Sequence, residues 1–417
     1  MTKPGPVARF WRTLGPGLIT GAADDDPSGI TTYSLAGAQF GTSLLWIAVV
    51  SWPLMWAVQL MCARVGMVTG RGLMAAMRER FPRPLLFVVC GALFFANSIN
   101  IGADLAGMAD AAELLSGVNS HVWVIAFGIA ILWATVQLRY AQVANVLKWL
   151  ALMLSAYVIT ALLSGPNWGA VLRDTFIPHL PTGADGWGMM VAILGTTISP
   201  YLFFWQASQE VEEEKGIGRA RAQRIGATHE ELKTRNTDVG VGTLVSNGAM
   251  FFIILTTALT LHRNGTTHPQ TSADVARALE PLLGRSAMLL YTIGLFGLGA
   301  LAIPTLAGAT AYALAELLGL RQGIDAPFTR ARAFYVIMIV SVTGGVAMDF
   351  FNIDAVRALY WTAIVNGLVA PPLLIGIVTV ARDAKLMHGQ PSGRLSMVLV
   401  WATTVLMIAA GVAMFVL

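Results

Sequence analysis

The sequence predicts an all-α membrane protein of about eleven transmembrane helices, and three observations carry that prediction. Hydrophobic residues make up 56% of the 417 and charged residues only 12%, about half the share of a soluble domain. The mean hydropathy is +0.66. Apolar runs of about 20 residues, the length that crosses a bilayer as a helix, recur from Leu14 to the last residue. No room is left for a sizeable soluble domain, so 1–417 reads as one transmembrane domain.

The expected spans lie near 14–40, 44–63, 85–112, 121–138, 142–164, 187–208, 239–261, 286–316, 333–349, 354–380 and 395–416. With the N-terminus in the cytoplasm, this layout puts 22 of the 27 Lys and Arg residues inside and five outside. That asymmetry follows the positive-inside rule and places the C-terminus outside. It also explains the net charge of +4 without nucleic acid. The first apolar stretch is too long for a cleavable signal and is interrupted by Asp24, Asp25 and Asp26. It reads as a retained span of a multi-pass protein, placed by expectation in a bacterial inner membrane. Cys62 and Cys90 form no metal-binding spacing and read as small buried hydrophobes.

Two spans carry breaks. Span one holds Gly21-Ala-Ala-Asp-Asp-Asp-Pro-Ser-Gly29 at its middle. Charge at mid-bilayer costs several kcal/mol, and Pro27 removes a backbone donor and crowds the preceding turn. Span six holds Gly195-Thr-Thr-Ile-Ser-Pro-Tyr201, with Pro200 again at mid-span. A lone proline is usually a kink, but two Gly/Pro-interrupted segments five spans apart point to a transporter's midplane site between inverted repeats. The repeats would span about 14–164 and 187–380, with 395–416 as an added helix. The breaks offer the carboxylates of Asp24, Asp25 and Asp26, the hydroxyls of Ser28, Thr196, Thr197 and Ser199, and loosened carbonyls. Such oxygens suit a hard divalent cation, and neither break holds Cys, Met or His.

The stretch Gly15-Pro-Gly through Asp26-Pro-Ser-Gly29 resembles the first helix of the NRAMP (natural-resistance-associated macrophage protein) family, whose pattern is GPG, eight residues, then DPGN. The resemblance implies a LeuT-like 5+5 inverted repeat with broken helices 1 and 6, a divalent metal ion as transported substrate, and Asp26 as the metal-binding aspartate. It sets Gly29 on the family's asparagine, Thr196 on the residue whose carbonyl binds metal, and Ser199-Pro200-Tyr201-Leu202 on MPHN. Gln206 replaces a second histidine. Gly102-Ala-Asp104-Leu-Ala-Gly107 matches ATDLAE, so Asp104 remains while Gly107 replaces the acidic partner. A span-ten glutamine falls on Ala363, with Asn366 a turn later.

These departures resemble the NRAMP-related magnesium transporters. Ser199 in place of a thioether removes discrimination against hard ions, and the missing histidines and acid remove titratable groups. The expectation is a permease for Mg²⁺, Mn²⁺ or both with weak or no proton coupling. Proton-coupled Mn²⁺/Fe²⁺ transport, carriage of a small organic cation, and a sensor that no longer transports stay open.

Other polar residues have two readings each. Asp24 either adds charge at the ion or caps a half-helix, and the same choice holds less favourably for Asp25. Three adjacent carboxylates cannot all carry charge cheaply at low dielectric. Asn97, Asn100 and Asp104, spaced i, i+3 and i+7, share a face of span three that lines a path or bonds to the broken helix. The charged run Gln209–Lys215 reads as a solvated helix with i,i+4 ion pairs. The twelve tryptophans should gather at span ends, and the six histidines in loops or at span edges. No GxxxxGK[ST] loop is present, so the chain itself offers no ATP-driven step, and no enzymatic constellation stands out.

Overall fold

The computed structural model describes residues 16–137, 154–269, 271–284, 287–351 and 354–417, and among these all regular structure is helical. The first expected span is two helices, α1 (Pro16–Asp24) and α2 (Pro27–Phe40). There follow α3 (Trp46–Thr69), the short α4 (Leu73–Met77), α5 (Arg83–Ser116) and α6 (Ser120–Gln137). The expected fifth span lies partly outside the described residues, which contain its end as α7 (Ser155–Leu163). A short α8 (Trp168–Phe176) leads to α9 (Gly183–Thr197) and α10 (Pro200–Gly216), the two halves of the sixth span. The chain continues with α11 (His229–Thr260), the short α12 (Ser272–Ala276) and α13 (Glu280–Leu283), and α14 (Ala287–Leu318). It ends with α15 (Arg332–Met348), α16 (Ala355–Ala381) and α17 (Arg394–Val416).

Nine helical stretches among the described residues are long and apolar enough to cross a membrane, counting α9 with α10. The sixth span is the most enclosed, with 94% of its apolar window buried, against 17% in α6 and 33% in α15 and α17. The broken span is therefore the axis of the bundle, while α6 turns Val122, Ile125, Ile129 and Trp133 outward, as a lipid-facing helix must.

Two expectations about helix limits and charge need correction. The seventh helix begins at His229, ten residues before the expected 239. Thr228 accepts from the Glu231 N–H and the Glu231 side chain accepts from the Thr228 N–H, a reciprocal cap that starts the helix outside the apolar segment. The charged run after Gln209 is not simply a solvated surface: it continues α10, and Glu210 is buried against Arg235 of α11 (2.8 Å). Among the tryptophans, Trp205 departs from the belt pattern and is fully buried within α10.

The broken first span leans on α11 along its whole length. A Cβ on Gly21 would lie 2.5 Å from the Gly242 carbonyl oxygen, and one on Gly37 would lie 2.1 Å from Thr257 Oγ1 and 2.2 Å from the Ile254 carbonyl oxygen. Small residues let helix backbones approach this closely. Gly37→Ala should therefore destabilise the fold by about 1–3 kcal/mol through overpacking. Gly91→Ala, at a position with nothing within 4 Å, should not. Thermal unfolding of the purified variants in detergent checks the contrast.

Candidate functional site

Both breaks obey the same local rule. Asp26 and Ser199 precede prolines and are extended, with φ −71° and ψ 171° at Asp26 and φ −77° and ψ 134° at Ser199. The helical region is disfavoured for a residue before proline, and Pro27 and Pro200 then start α2 and α10 with a pre-set φ. The expected helix breaks are thus real interruptions rather than kinks.

The two breaks are capped in opposite directions. Asp26 looks forward: its Oδ1 accepts from the Gly29 N–H and the Ser28 hydroxyl, both at 2.7 Å. Ser199 looks backward: its hydroxyl lies 2.7 Å from the Gly195 carbonyl oxygen and 2.8 Å from that of Thr196. The Thr196 carbonyl expected to bind metal is therefore in contact with the Ser199 hydroxyl, while Thr196 Oγ1 is buried with no hydrogen-bond partner.

Gly29 is where the breaks meet. A Cβ there would lie 3.2 Å from Thr196 Oγ1, 3.3 Å from the Asp24 carbonyl oxygen and 3.5 Å from Asp26 Oδ1. Tyr201, next to the second break, donates to the Ala23 carbonyl (2.8 Å) with Asp26 Oδ2 3.5 Å away. On the other side the Tyr33 and Thr197 hydroxyls lie 3.1 Å apart and link α2 to α9.

Span three supplies the next wall. Asn100 donates to Asp26 Oδ2 at 3.3 Å. Asp104 is wholly buried and has Asp26 and the Ser28 backbone as its polar neighbours. Asn97 departs from this group and donates to the Leu306 carbonyl and Thr310 Oγ1 of α14, so it joins helices instead of facing Asp26. Leu359 of α16 would stand 3.0 Å from a Cβ at Gly107, leaving little room for an acid there.

Asp24, Asp25, Gln206 and Asn366 lie in other settings. Asp24 and Asp25 do not gather with Asp26. The Ser246 hydroxyl of α11 reaches Asp24 Oδ2 at 2.6 Å and Asp25 Oδ1 at 3.3 Å. Among the described residues no three His, Cys, Asp or Glu side chains cluster closely enough to hold an ion together. Gln206 faces the charged network of Glu210 and Arg235, donating to Glu210 at 2.6 Å. Asn366 is buried on α16 without a hydrogen-bond partner, and the Ala363 carbonyl abuts Gly195 at the end of α9.

The sequence reading missed Ser246, Tyr33 and Arg235. Ser246-Asn247 is a polar pair amid an apolar helix, a signal worth reading because such groups seek partners across helices. Asn247 accepts from Ser51 of α3 at 2.7 Å. Arg235 was counted only as a cytoplasmic charge. It binds Glu210, Glu213 and Asp238, and Asp238 also accepts from the Gly17 N–H at the start of α1 (2.8 Å).

Residues 17–417 match the family described as "Natural resistance-associated macrophage protein-like". The chain belongs to the NRAMP family. It is 29% identical over 306 residues to the divalent metal cation transporter MntH of Yersinia pestis (strain Pestoides F), covering 71% of each chain. The MntH of Erwinia tasmaniensis is also 29% identical, over 304 residues and 70% of its length. Among solved structures, a manganese transporter of Eremococcus coleocola in complex with an aromatic bis-isothiourea compound superposes with a TM-score of 0.78 at 18% identity, covering 99% of this chain and 87% of that one. Mhp1, a nucleobase-cation-symport-1 family transporter, superposes at 0.59 and 14% identity, covering 96% and 90%. The fold is thus the NRAMP fold, shared more distantly with a symporter for another kind of solute.

Removing the Ser246 hydroxyl should expose the cost of the acidic run. Ser246→Ala leaves the buried Asp24 carboxylate without its donor and should destabilise by about 1–3 kcal/mol. Thr243→Ala, which removes a hydroxyl bonded only to carbonyls of its own helix, should change stability little. Paired thermal melts check this.

Proposed function

We propose that this NRAMP-family chain is a permease for divalent metal cations, carrying Mg²⁺, Mn²⁺ or both, with its ion held between the two helix breaks. The relatives it matches are named as divalent metal cation transporters and not as enzymes. The observation that carries the reading is the meeting of Asp26 and Thr196 across Gly29. Thr196 Oγ1, the Asp24 carbonyl oxygen at the end of α1 and Asp26 Oδ1 surround that position, and the Ser199 hydroxyl lies against the Thr196 carbonyl behind it. Helix C-termini carry partial negative charge that favours a cation.

All of these donors are oxygens. Mg²⁺ and Mn²⁺ accept such a set, and Mg²⁺ tends to keep part of its water shell. With glycine at 29 and serine at 199 the gap between the breaks is lined by small side chains, which favours a partly hydrated ion. Asp26 is the principal ligand, Thr196 and Ser199 supply oxygens from the opposite break, and Asn100 and Tyr201 orient Asp26. Asp24 contributes negative potential from the α11 side. In the same reading the first five spans and the next five are inverted repeats of one domain, with α17 added. In this reading the membrane is a bacterial inner one and the N-terminus is cytoplasmic, an orientation the Lys and Arg distribution supports.

One observation favours a second reading, proton-coupled Mn²⁺/Fe²⁺ transport. Asp104 is a wholly buried carboxylate beside Asp26, and such a group is able to carry a proton that a cation arriving nearby displaces.

Uptake into proteoliposomes separates these readings. Wild type should carry Mg²⁺ and Mn²⁺, Asp26→Asn should abolish both, and an internal pH dye should stay steady. Ser199→Met, which restores a soft ligand, should lower Mg²⁺ uptake relative to Mn²⁺ by about tenfold. Transport of Fe²⁺ with exclusion of Mg²⁺ would defeat the hard-ion reading, and acidification coupled to metal entry would favour the second.

A further inference from the structure

A cavity of about 820 Å³ opens among the chain ends of α3, α4, α10 and α14, away from the helix breaks. Six cationic side chains line it: Arg71, Arg78, Lys215, Arg224, Arg321 and Arg330. Only two acids do so, Glu79 and Glu316, leaving the lining four charges positive. That excess equals the formal net charge of the entire 417-residue chain, +4.

The two acids are already engaged. Glu79 pairs with Arg71. Glu316 is buried and accepts from the Ala75 N–H at 3.1 Å and from Gln322 Nε2 at 2.9 Å. A Cβ at Gly72 would strike its carboxylate, so glycine at that position is what lets the acid approach α4. Lys215 is held by Glu212 at 2.8 Å, and Arg78 donates to the Glu316 backbone carbonyl at 2.6 Å. Among the described residues no ion pair takes up Arg321 or Arg330; Arg224 has Glu214 as a charged neighbour, and its Nε–H is buried without an acceptor.

Cytoplasmic arginines are common in membrane proteins because they set topology. Topology needs only their side of the membrane, not their convergence on one concavity from four separate segments of the chain. Guanidinium groups bind phosphate through paired N–H donors, and clustered fixed charge favours a multiply charged anion. The volume lies within the range of pockets that hold cofactor-sized ligands. We propose that this cavity is a binding site for a multiply charged phosphate compound, either a free polyphosphate anion or the headgroup of an anionic lipid. The occupant would tie α10, the half-helix that carries Tyr201 and Gln206, to the end of α14. The proposal is independent of which metal the chain carries.

The test uses the full chain in nanodiscs of phosphatidylcholine, with metal removed by chelation. Inorganic tripolyphosphate is titrated calorimetrically into wild type, Arg224→Gln/Arg321→Gln/Arg330→Gln, and a control, Arg382→Gln/Lys385→Gln/Arg394→Gln, that loses equal charge elsewhere on the expected cytoplasmic face. In parallel, native mass spectrometry reads anionic lipid retained from cardiolipin-containing membranes. Tripolyphosphate binding that weakens about tenfold or more in the cavity triple, but not in the control, establishes a site for a free anion. Lipid retention lost in the cavity triple alone, without tripolyphosphate binding, establishes a headgroup site. Should the triple fail to fold, Arg321→Gln/Arg330→Gln, two exposed positions outside the helices, replaces it and should show the same loss. If neither reading separates the cavity variants from the control, the proposal is overturned.

Discussion

A carboxylate held at a gap in a membrane helix is the constraint from which the rest of this structure follows. Asp26 is buried, and an ionised side chain away from water is costly unless hydrogen bonds surround it. The free N–H groups of a helix start are the natural donors, so the acid needs the gap as much as the gap needs a cap. Pro27 makes the gap, and Ser28, Gly29 and Asn100 complete the shell around Asp26. The broken helix has fewer ladder bonds of its own and borrows support from α11. That is why Gly17, Gly21 and Gly37 stand where a neighbouring backbone or side chain leaves no room for a Cβ.

The second gap solves the same problem with different chemistry. A serine hydroxyl both donates and accepts. At 199 it lies against the carbonyls at 195 and 196, which α9 leaves unpaired at its end. A thioether accepts weakly and cannot donate. Serine in place of the family's methionine therefore changes the hardness of the site and also whether the loosened carbonyls can find a donor within the chain. Tyr201, where the family pattern has histidine, donates across to Ala23. The two gaps are thereby joined by protein hydrogen bonds.

The breaks were legible because they obey local rules. Asp and Ser are cap residues, and each stands before a proline. Pro53, Pro304, Pro371 and Pro372 follow Trp, Ile, Ala and Pro, and their helices run on. The bilayer-length runs were legible for the same reason, since length and hydropathy are properties of a segment. Hydropathy marks the apolar segment near 239 and not the charged turns before it, where the Thr228–Glu231 cap starts α11. Gln206, which the resemblance sets on a family histidine, pairs with Glu210 at an i,i+4 spacing already present in the sequence. Ser246 and Arg235 act through tertiary contacts on α11 that no local pattern specifies.

The acidic run shows how helix geometry limits what a sequence of carboxylates can do. Asp24 closes α1, Asp25 lies between the helices, and Asp26 caps α2. Three successive residues in three different backbone settings cannot aim at one point. Two turn to Ser246 and one to the gap. For the ion we propose, this means one direct carboxylate and a more distant negative field, in place of a three-acid cage. Affinity for hard cations rises with the number of charged ligands and the rigidity of the site. A carrier has to release its ion as well as bind it, and a single carboxylate among neutral oxygens suits that requirement better than three would. In the proposed reading Asp24 and Asp25, turned to Ser246, leave Asp26 as the one carboxylate that meets the ion directly.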